Sequence, residues 1–119
     1  MLSEKYFSKC FFENKQDFLN NIDICKLRLL KGKIFKIRIN GTNKRMEFIR
    51  ERLKGFVLDK FYGKNVIYLD NGIYYIFFEK NEDAPLNKFF EIKSELEKIS
   101  YININIESIS MKDFQKSIK

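Results

Sequence analysis

Asp70 is the acidic residue whose position in the chain comes closest to that of a catalytic group. It opens the turn sequence Asp70–Gly72, which lies between two apolar runs of β-branched and aromatic residues, 65–69 and 73–79. Asn and Gly tolerate the positive φ of a tight turn, so this pattern predicts a β-hairpin in which Asp70 hydrogen-bonds its own backbone. Two-metal phosphoryl transfer needs several carboxylates held together. Asp70 is therefore the only metal-ligand candidate, and we predict no metal site.

The other residue types of the chain exclude several catalytic chemistries. There is no His, which rules out Ser-His and Cys-His nucleophiles and leaves zinc only thiolates and carboxylates. Cys10 and Cys25 lack the spacing of metal ligands and fit a reducing interior. Glu47 and Glu51 lie one helical turn apart beside Arg50, which indicates surface ion pairs. With no GxxxxGK or GxGxxG motif either, we predict no cofactor and favour a binding protein over an enzyme.

The charge balance of the chain favours a polyanionic partner. Lys and Arg number 23 against 16 Asp and Glu, a formal net charge of +7, and basic groups gain affinity for phosphates by releasing counterions. The alternative to a polyanionic partner is that the lysines simply form a solvated surface. The 119 residues, 45% of them hydrophobic and 33% charged, are typical of one globular domain. We recognise no signal peptide or membrane-length apolar run, and expect a cytoplasmic protein without a membrane partner.

Periodicity predicts the central strand and helix. Apolar and polar residues alternate over Lys33–Asn40, the pattern of a half-buried strand. Residues Lys44–Tyr62 have the pattern of an amphipathic helix, with Thr42 or Asn43 as the N-cap and Gly63 as a left-handed terminator. The predicted inward side chains of this helix are Met46, Ile49, Leu53, Phe56, Val57 and Phe61.

The flanking segments are predicted with the same rules. Residues Asn14–Ile22 can form a short helix capped by Asn14, with Phe18, Leu19 and Ile22 inward. Pro85 suits the first turn of a second amphipathic helix. Its inward stripe is Phe89, Ile92, Leu96 and Ile99. The run 101–107 alternates as a strand, with Ile102, Ile104 and Ile106 on one side. Residues 112–119 form a short basic tail, which we interpret as helical.

Together these elements predict an α+β, ferredoxin-like domain. The order β-α-β-β-α-β gives a four-stranded antiparallel sheet with both helices on one face. We assign residues 1–30 to an N-terminal extension, 31–109 to the domain and 110–119 to the basic tail. If residues 1–30 leave the second sheet face open, that face is a polar-aromatic platform.

The hairpin and its surroundings resemble a known family. The sequence NVIYLDNGIYYIFF (65–78) looks like the palm hairpin of the large polymerase-like subunit of type III CRISPR effector complexes, often "NVIYSGGGxFYLLLP". LKGKI (30–34) lies where that family has a "KGDISGIQ"-like strand start, and RERL (50–53) lies in the matching helix. INIESISMKDF (104–114) resembles its "IAxVEISGEDF" ending. The resemblance covers residues 24–114 and implies a ferredoxin-like palm domain.

The departures from that family imply a degenerate palm. Palm domains hold metal-binding carboxylates on the first strand and in the hairpin turn. Here Lys33 replaces the strand Asp, and Asp70-Asn71 replaces the Gly-Gly of the turn. In type III complexes one palm makes cyclic oligonucleotides from ATP, and the other is largely structural. The resemblance implies a non-catalytic module of CRISPR or antiphage conflict that binds RNA, a nucleotide or an effector subunit. Free-standing miniature palm cyclases are similar in size but need the missing acids.

The same element order also belongs to the RNA recognition motif, which stacks unpaired bases on strand aromatics. Residues 71–78 resemble its "KGYGFVxF" strand, with Phe35 as the first-strand aromatic, although aromatic residues in such a strand more often belong to the core. The candidate nucleic-acid or nucleotide ligands are the stacking residues Tyr75 and Tyr101, with Asn103 and a basic rim of Lys33, Lys36, Arg38, Lys44 and Arg45. Two further alternatives are a phage-encoded inhibitor of the anti-CRISPR type and a divergent minimal nucleotide cyclase. The oligomeric state stays open.

Overall fold

The computed structural model describes residues 11–20, 32–40, 44–78, 85–99 and 103–117. The predicted order of a strand, a helix, two strands, a helix and a strand is confirmed, and a short strand precedes it and a short helix follows it. Residues 15–20 are also helical. The strands are β1 (Phe11–Phe12), β2 (Lys33–Asn40), β3 (Val66–Asp70), β4 (Ile73–Phe78) and β5 (Asn103–Ile109), and the helices are α1 (Met46–Phe61), α2 (Leu86–Ile99) and α3 (Met111–Ser117).

The five strands form one mixed sheet in the order β1-β3-β4-β2-β5. Strand β2 lies between β4 and β5 and is antiparallel to both, and β3 is antiparallel to β4. The additional strand β1 is parallel to β3 and covers its open edge. The α+β class is confirmed, whereas the predicted four-stranded antiparallel sheet is wrong in strand number and in being purely antiparallel. The difference arises because the unpaired backbone groups of β3 recruit Phe11 and Phe12.

The predicted hairpin is confirmed, and its turn has two residues. Asp70 pairs with Ile73 across the turn. Asn71 and Gly72 have φ values of 50° and 80°, the positive values that make a two-residue turn follow the twist of its strands. Gly63, with φ 83°, follows the last residues of α1 as predicted.

Helices α1 and α2 cover the first face of the sheet. Every second residue of each strand points to this side, because successive side chains of a strand point to opposite faces of the sheet. The predicted inward residues of α2 are confirmed for Phe89, Ile92 and Leu96, whereas the side chain of Ile99 lies outside the described residues. The buried residues that α1 supplies are Ile49, Leu53, Val57 and Phe61, with Met46 and Phe56 partly buried. Helix α1 begins after Arg45, and the predicted caps Thr42 and Asn43 lie outside the described residues.

The second face of the sheet carries a core of its own. Phe18, from the helical segment 15–20, stacks on Tyr68 with ring centroids 4.3 Å apart. Phe114, from α3, is fully buried against the same strands. Side-chain caps support both segments: Asn14 Oδ1 accepts the backbone N–H groups of residues 16 and 17, and Ser110 Oγ accepts that of residue 113. The prediction of Asn14 as a cap with Phe18 inward is confirmed.

Strand β5 is the other edge of the sheet, and α2 protects part of it. Lys93 Nζ donates to the Ile104 carbonyl oxygen at 2.8 Å, and Glu97 accepts the Ile104 N–H at 3.0 Å. The two side chains also bond each other at 3.0 Å. The backbone N–H and C=O groups of Ile104 are therefore hydrogen-bonded to side chains and are not available to pair with another strand. Among the described helices, none is long and apolar enough to span a bilayer.

Candidate functional site

A pocket of about 500 Å³ lies between the hairpin turn and the outer surface of α1. Helix α1 supplies one wall, the end of β3, the turn and the start of β4 supply the second, and the residue after β1 closes one side. The lining residues are Glu13, Arg50, Glu51, Leu53, Lys54, Leu69, Asn71, Gly72 and Tyr74. Pockets of this size accept small molecules of the size of a nucleotide.

The helix wall follows from the periodicity of α1. Residues 50, 53 and 54 are spaced by three and four positions and therefore share one side of the helix. Leu53 is buried in the first core and fixes the helix against the sheet. Arg50 and Glu51 are exposed, so their charged groups are available at the pocket mouth. The wall therefore combines a buried apolar residue, Leu53, with an exposed cation, Arg50, and an exposed carboxylate, Glu51.

The turn wall brings backbone close to the pocket. Leu69 and Tyr74 are cross-strand partners at the end of the hairpin, and the two turn residues follow directly. A Cβ built on Gly72 meets nothing within 4 Å, so its positive φ of 80°, and not crowding, is what favours glycine there. Asn71 and Gly72 are exposed and line the pocket, so a ligand there can reach the turn.

Glu13 and Lys54 join the N-terminal strand to α1. Lys54 Nζ lies 2.8 Å from the Glu13 carboxylate and 5.9 Å from the centroid of the Phe11 ring. The hydrogen bond to Glu13 is the main reason why the pKa of Lys54 lies above its usual value. Lys54 is therefore charged at neutral pH, and its ion pair occupies the Glu13 carboxylate.

Tyr74 forms the floor of the pocket as a neutral hydrogen-bond donor. Burial, followed by the negative charges of Glu13 and Glu51, raises the pKa of Tyr74 to about 12. Only 3% of the residue is exposed. A phenol that keeps its proton can donate a hydrogen bond to an acceptor on a ligand.

The pocket chemistry suits an organic ligand with both donors and an anionic group. Carboxylates accept hydrogen bonds from ring N–H and amino groups, and a guanidinium binds phosphate or carboxylate with two parallel bonds. Asp70 is not part of the lining. The described residues include no group of three or more Cys, Asp or Glu placed to hold a metal ion.

The basic and polar residues that the sequence predicts to bind a ligand lie in separate parts of the fold. Lys36, Arg38 and Asn103 lie on the second sheet face, in the half that borders the hairpin turn. Arg38 pairs in register with Asn105, and Lys36 Nζ lies 3.6 Å from the Glu107 carboxylate. These residues belong to a polar strip in which Arg38 and Asn103 are exposed and the others are half-buried: Lys36, Arg38, Asn40, Asn103 and Asn105. Lys33 is exposed at the opposite end of β2, and Lys44 and Arg45 are exposed just before α1.

Tyr75 does not have the exposure that base stacking requires. It is 3% exposed, and its ring contacts Phe114 at 5.0 Å and Tyr68 at 5.9 Å between centroids. The platform was expected only if this face stayed open, and at Tyr75 it is not open, because Phe114 of α3 packs against the ring. Phe35 is likewise a core residue, stacked on Phe89 at 4.8 Å. Tyr101 lies outside the described residues.

Sequence reasoning missed the pocket because its walls come from distant segments. The sequence indicates that Glu51 and Arg50 form surface pairs within one helix, whereas Lys54 of the same helix bonds Glu13 across the fold. Strand β1 has two residues, too few for a periodicity signal. The one local signal was the coincidence of a charged helix with a glycine turn that follows it in the chain. No protein-family model, curated protein or solved structure matches this chain.

Proposed function

We propose that this protein is a palm-like module that binds a nucleotide in the pocket beside the hairpin turn and does not turn it over. The observation that carries the proposal is the pocket itself, which places the turn residues Asn71 and Gly72 opposite Arg50 and Glu51 of α1. In the palm domains that the sequence resembles, nucleotide chemistry takes place at the same hairpin turn. A role in CRISPR or antiphage conflict follows from the same resemblance.

The secondary structure supports a ferredoxin-like assignment within the α+β class. From β2 to β5 the chain has the order β-α-β-β-α-β, and α1 and α2 share one core with the sheet. Without β1, the remaining strands run β3-β4-β2-β5. Strand β1 is then an edge addition to a palm-like unit.

The charges of the pocket support binding without catalysis. Phosphoryl transfer in palms uses two metal ions, whose positive charge must be balanced by adjacent carboxylates. Here one of the two lining carboxylates, Glu13, is paired with Lys54, whose ammonium group would repel a divalent ion. Lys33 stands where the resembled family has its strand Asp.

Nucleotide titration with a matched arginine pair tests the proposal. ATP and GTP are titrated into the protein and into Arg50→Ala and Arg52→Ala, with binding followed by calorimetry. Arg52 is exposed on the same helix, but its guanidinium lies over the Phe56 ring at 5.3 Å and does not line the pocket. We expect Arg50→Ala to weaken binding about tenfold, since a charge-assisted phosphate contact is lost. Arg52→Ala should bind like the parent protein.

Three outcomes would overturn the proposal. Equal affinities for the two variants, or no binding by the parent protein, would remove the pocket as the nucleotide site. Incubation of labelled ATP or GTP with Mg²⁺ or Mn²⁺ tests the absence of turnover. A cyclic or linear product that disappears with Asp70→Asn would show a divergent cyclase.

Single-stranded RNA is a second candidate ligand, and the polar strip of β2 and β5 favours it. Arg38 is exposed there, and asparagine amides on the neighbouring strand can donate to phosphate or base edges. Oligouridine binding at low and high salt measures this activity, and we expect Arg38→Ala to weaken it about tenfold. If neither ligand binds, association with an effector subunit, including inhibition of the anti-CRISPR type, becomes the better hypothesis.

A further inference from the structure

Strand β5 has an open backbone edge on the side of the sheet opposite to β1 and the pocket. The N–H and C=O groups of Ile104 bond the side chains of Glu97 and Lys93, so they point away from β2. In an antiparallel ladder, residues that bond the neighbouring strand alternate with residues that do not. Ile106 and Ser108 therefore also direct their backbone groups outward. In the described part of the chain, no further strand or side chain bonds these four groups.

Helix α2 runs antiparallel to β5 and presents one of its sides to this edge. Along a strand, the N–H of a residue precedes its C=O. Because Glu97 bonds the Ile104 N–H, and Lys93, one turn earlier in α2, bonds the Ile104 C=O, the two elements run in opposite directions. Side chains three or four positions apart share one side of a helix. The row on the β5 side of α2 is Leu86, Phe90, Lys93 and Glu97.

The first half of this row is apolar and exposed. Leu86 and Phe90 are 51% and 63% exposed. Phe89, the residue before Phe90, stacks on Phe35 with ring centroids 4.8 Å apart, and Phe35 pairs with Ser108 across the sheet. The first half of α2 is therefore level with the open part of β5. An exposed apolar ridge thus flanks a row of unpaired backbone groups, and large exposed apolar groups that lie together mark interaction surfaces.

We propose that this edge binds an extended segment of a partner protein, which adds to β5 as a sixth strand. The N–H and C=O groups of the segment pair with those of Ile106 and Ser108, a mode of recognition known as β-augmentation. Side chains of a strand alternate between the two faces of a sheet. Apolar side chains of the segment on the α2 face pack against Leu86 and Phe90, and the side chain between them lies opposite Glu107 on the second face.

Glu107 determines which segment fits this edge. Its side chain is exposed, and Lys36 Nζ lies 3.6 Å from the carboxylate, so a further cation can reach it. A second copy of the chain fits less well. The antiparallel register in which Ile106 and Ser108 of both copies bond each other places the two Glu107 carboxylates opposite one another, where like charges are destabilising. A segment with Lys or Arg between two large apolar residues fits best, because its cation pairs with Glu107 across the strands.

Selection from a random peptide library identifies the segment directly. The library is panned on the parent protein, on Ser108→Pro and on Ser108→Ala. Proline removes the outward N–H of residue 108 and leaves the ladder with β2 intact, because that N–H does not bond β2, whereas alanine keeps the N–H. Phe90→Ser tests the apolar ridge, and Phe48→Ser, at an exposed Phe of α1, is its control. Circular dichroism and thermal unfolding verify that all variants are folded.

We expect peptides with the order apolar, Lys or Arg, apolar to be enriched on the parent protein and on both controls. A selected peptide should bind Ser108→Pro and Phe90→Ser at least about tenfold more weakly. It should also slow hydrogen exchange at the amides of Ile106 and Ser108. Panning on Glu107→Lys should select Asp or Glu in place of the basic residue.

Several results would overturn this assignment of the β5 edge. Binding that survives Ser108→Pro, or a library that yields no such peptides, is one. If Ser108→Pro does not fold, equal binding by Phe90→Ser and Phe48→Ser, or an unchanged selection on Glu107→Lys, has the same meaning. Self-association of the parent protein that Phe90→Ser abolishes assigns the edge to a second copy of the chain. Oligouridine that slows exchange of the same two amides, without any selected peptide, assigns it to nucleic acid.

Discussion

The ring of Phe114 packs edge-on against the ring of Tyr75, with the two centroids 5.0 Å apart. This contact joins the last helix of the chain to the centre of the sheet. It converts the most plausible base-stacking residue of β4 into part of a second core. Tyr75 is therefore not exposed for base stacking, and the nucleotide and RNA sites that we propose lie toward the turn end of the domain.

Removal of the Phe114 ring should destabilise the domain strongly. Phe114 is fully buried and packs against the rings of Phe18, Tyr75 and Phe77. Deletion of such a ring leaves a cavity, and we expect Phe114→Ala to lower the free energy of unfolding by about 3–5 kcal/mol. Urea unfolding measures the change. Phe90→Ala, at an exposed Phe, is the control and should cost less than about 1 kcal/mol. Similar losses for both variants would contradict the second core.

The Tyr68 hydroxyl should be a net cost to stability. Tyr68 is fully buried, and its hydroxyl has no hydrogen-bond partner among the described residues. Desolvation of an unpaired hydroxyl costs about 1–3 kcal/mol. Tyr68→Phe keeps the stack on Phe18 and removes that cost, so we expect the midpoint of thermal unfolding to rise. A lower midpoint would show that the hydroxyl has a stabilising partner, with Tyr62→Phe as the exposed comparison.

The Glu97 carboxylate should make stability depend on acid pH. Its hydrogen bonds from the Ile104 N–H and then from Lys93 lower the pKa of Glu97 below 4.5. A depressed folded-state pKa contributes stability above the unfolded value, and that contribution is lost as the pH falls through the folded value. Glu97→Gln should therefore cost about 1 kcal/mol near neutral pH and less in acid.

Urea unfolding over the acid range measures this dependence. Glu95→Gln is the matched control, because Glu95 pairs with Lys98 at 3.5 Å and both side chains are more than half exposed. We expect its effect to stay below about 0.5 kcal/mol at every pH. If the free energies of unfolding of Glu97→Gln and the parent protein differed by the same amount at every pH, the charge of Glu97 would have no role in stability.

Two glycines should respond to alanine in opposite directions. Gly55 lies inside α1, and a Cβ there meets nothing within 4 Å, so Gly55→Ala should stabilise the fold by up to about 1 kcal/mol. Gly72 has φ 80° in the hairpin turn, where an L-side chain is strained, and Gly72→Ala should cost about 1–2 kcal/mol. Denaturant midpoints compare the pair. A stable Gly72→Ala would mean that the turn relaxes to another type.

Tyr74 should titrate well above an ordinary phenol. Burial and the carboxylates of Glu13 and Glu51 raise its pKa to about 12. A raised folded-state pKa adds stability below the unfolded value, about 10, and that stability is lost as the pH rises toward 12. Spectrophotometric titration of the parent protein should therefore show a phenol with a pKa of about 12 that is missing in Tyr74→Phe. Loss of no such phenol in Tyr74→Phe would contradict the burial of the Tyr74 hydroxyl.

The hairpin, α1 and the inward stripe of α2 could be predicted from the sequence because local chemistry determines them. Positive φ at Asn71 and Gly72 is a property of those residues, and the burial of Phe89, Ile92 and Leu96 follows from helical spacing. Strand β1 could not be predicted, since two residues carry no period. Its place beside β3 depends on an edge that exists only after the sheet has formed.

The same distinction between local chemistry and tertiary packing applies to the candidate sites. The sequence by itself determined the basic charge, the absence of His, the single turn carboxylate and the alternation that places Lys36 and Arg38 on one face of β2. Only the tertiary structure decided that Phe114 packs against Tyr75, and that Lys54 pairs with Glu13 beside the pocket at the turn. Periodicity tells which side of an element is apolar, but the segment that covers it is chosen by packing among residues far apart in the chain.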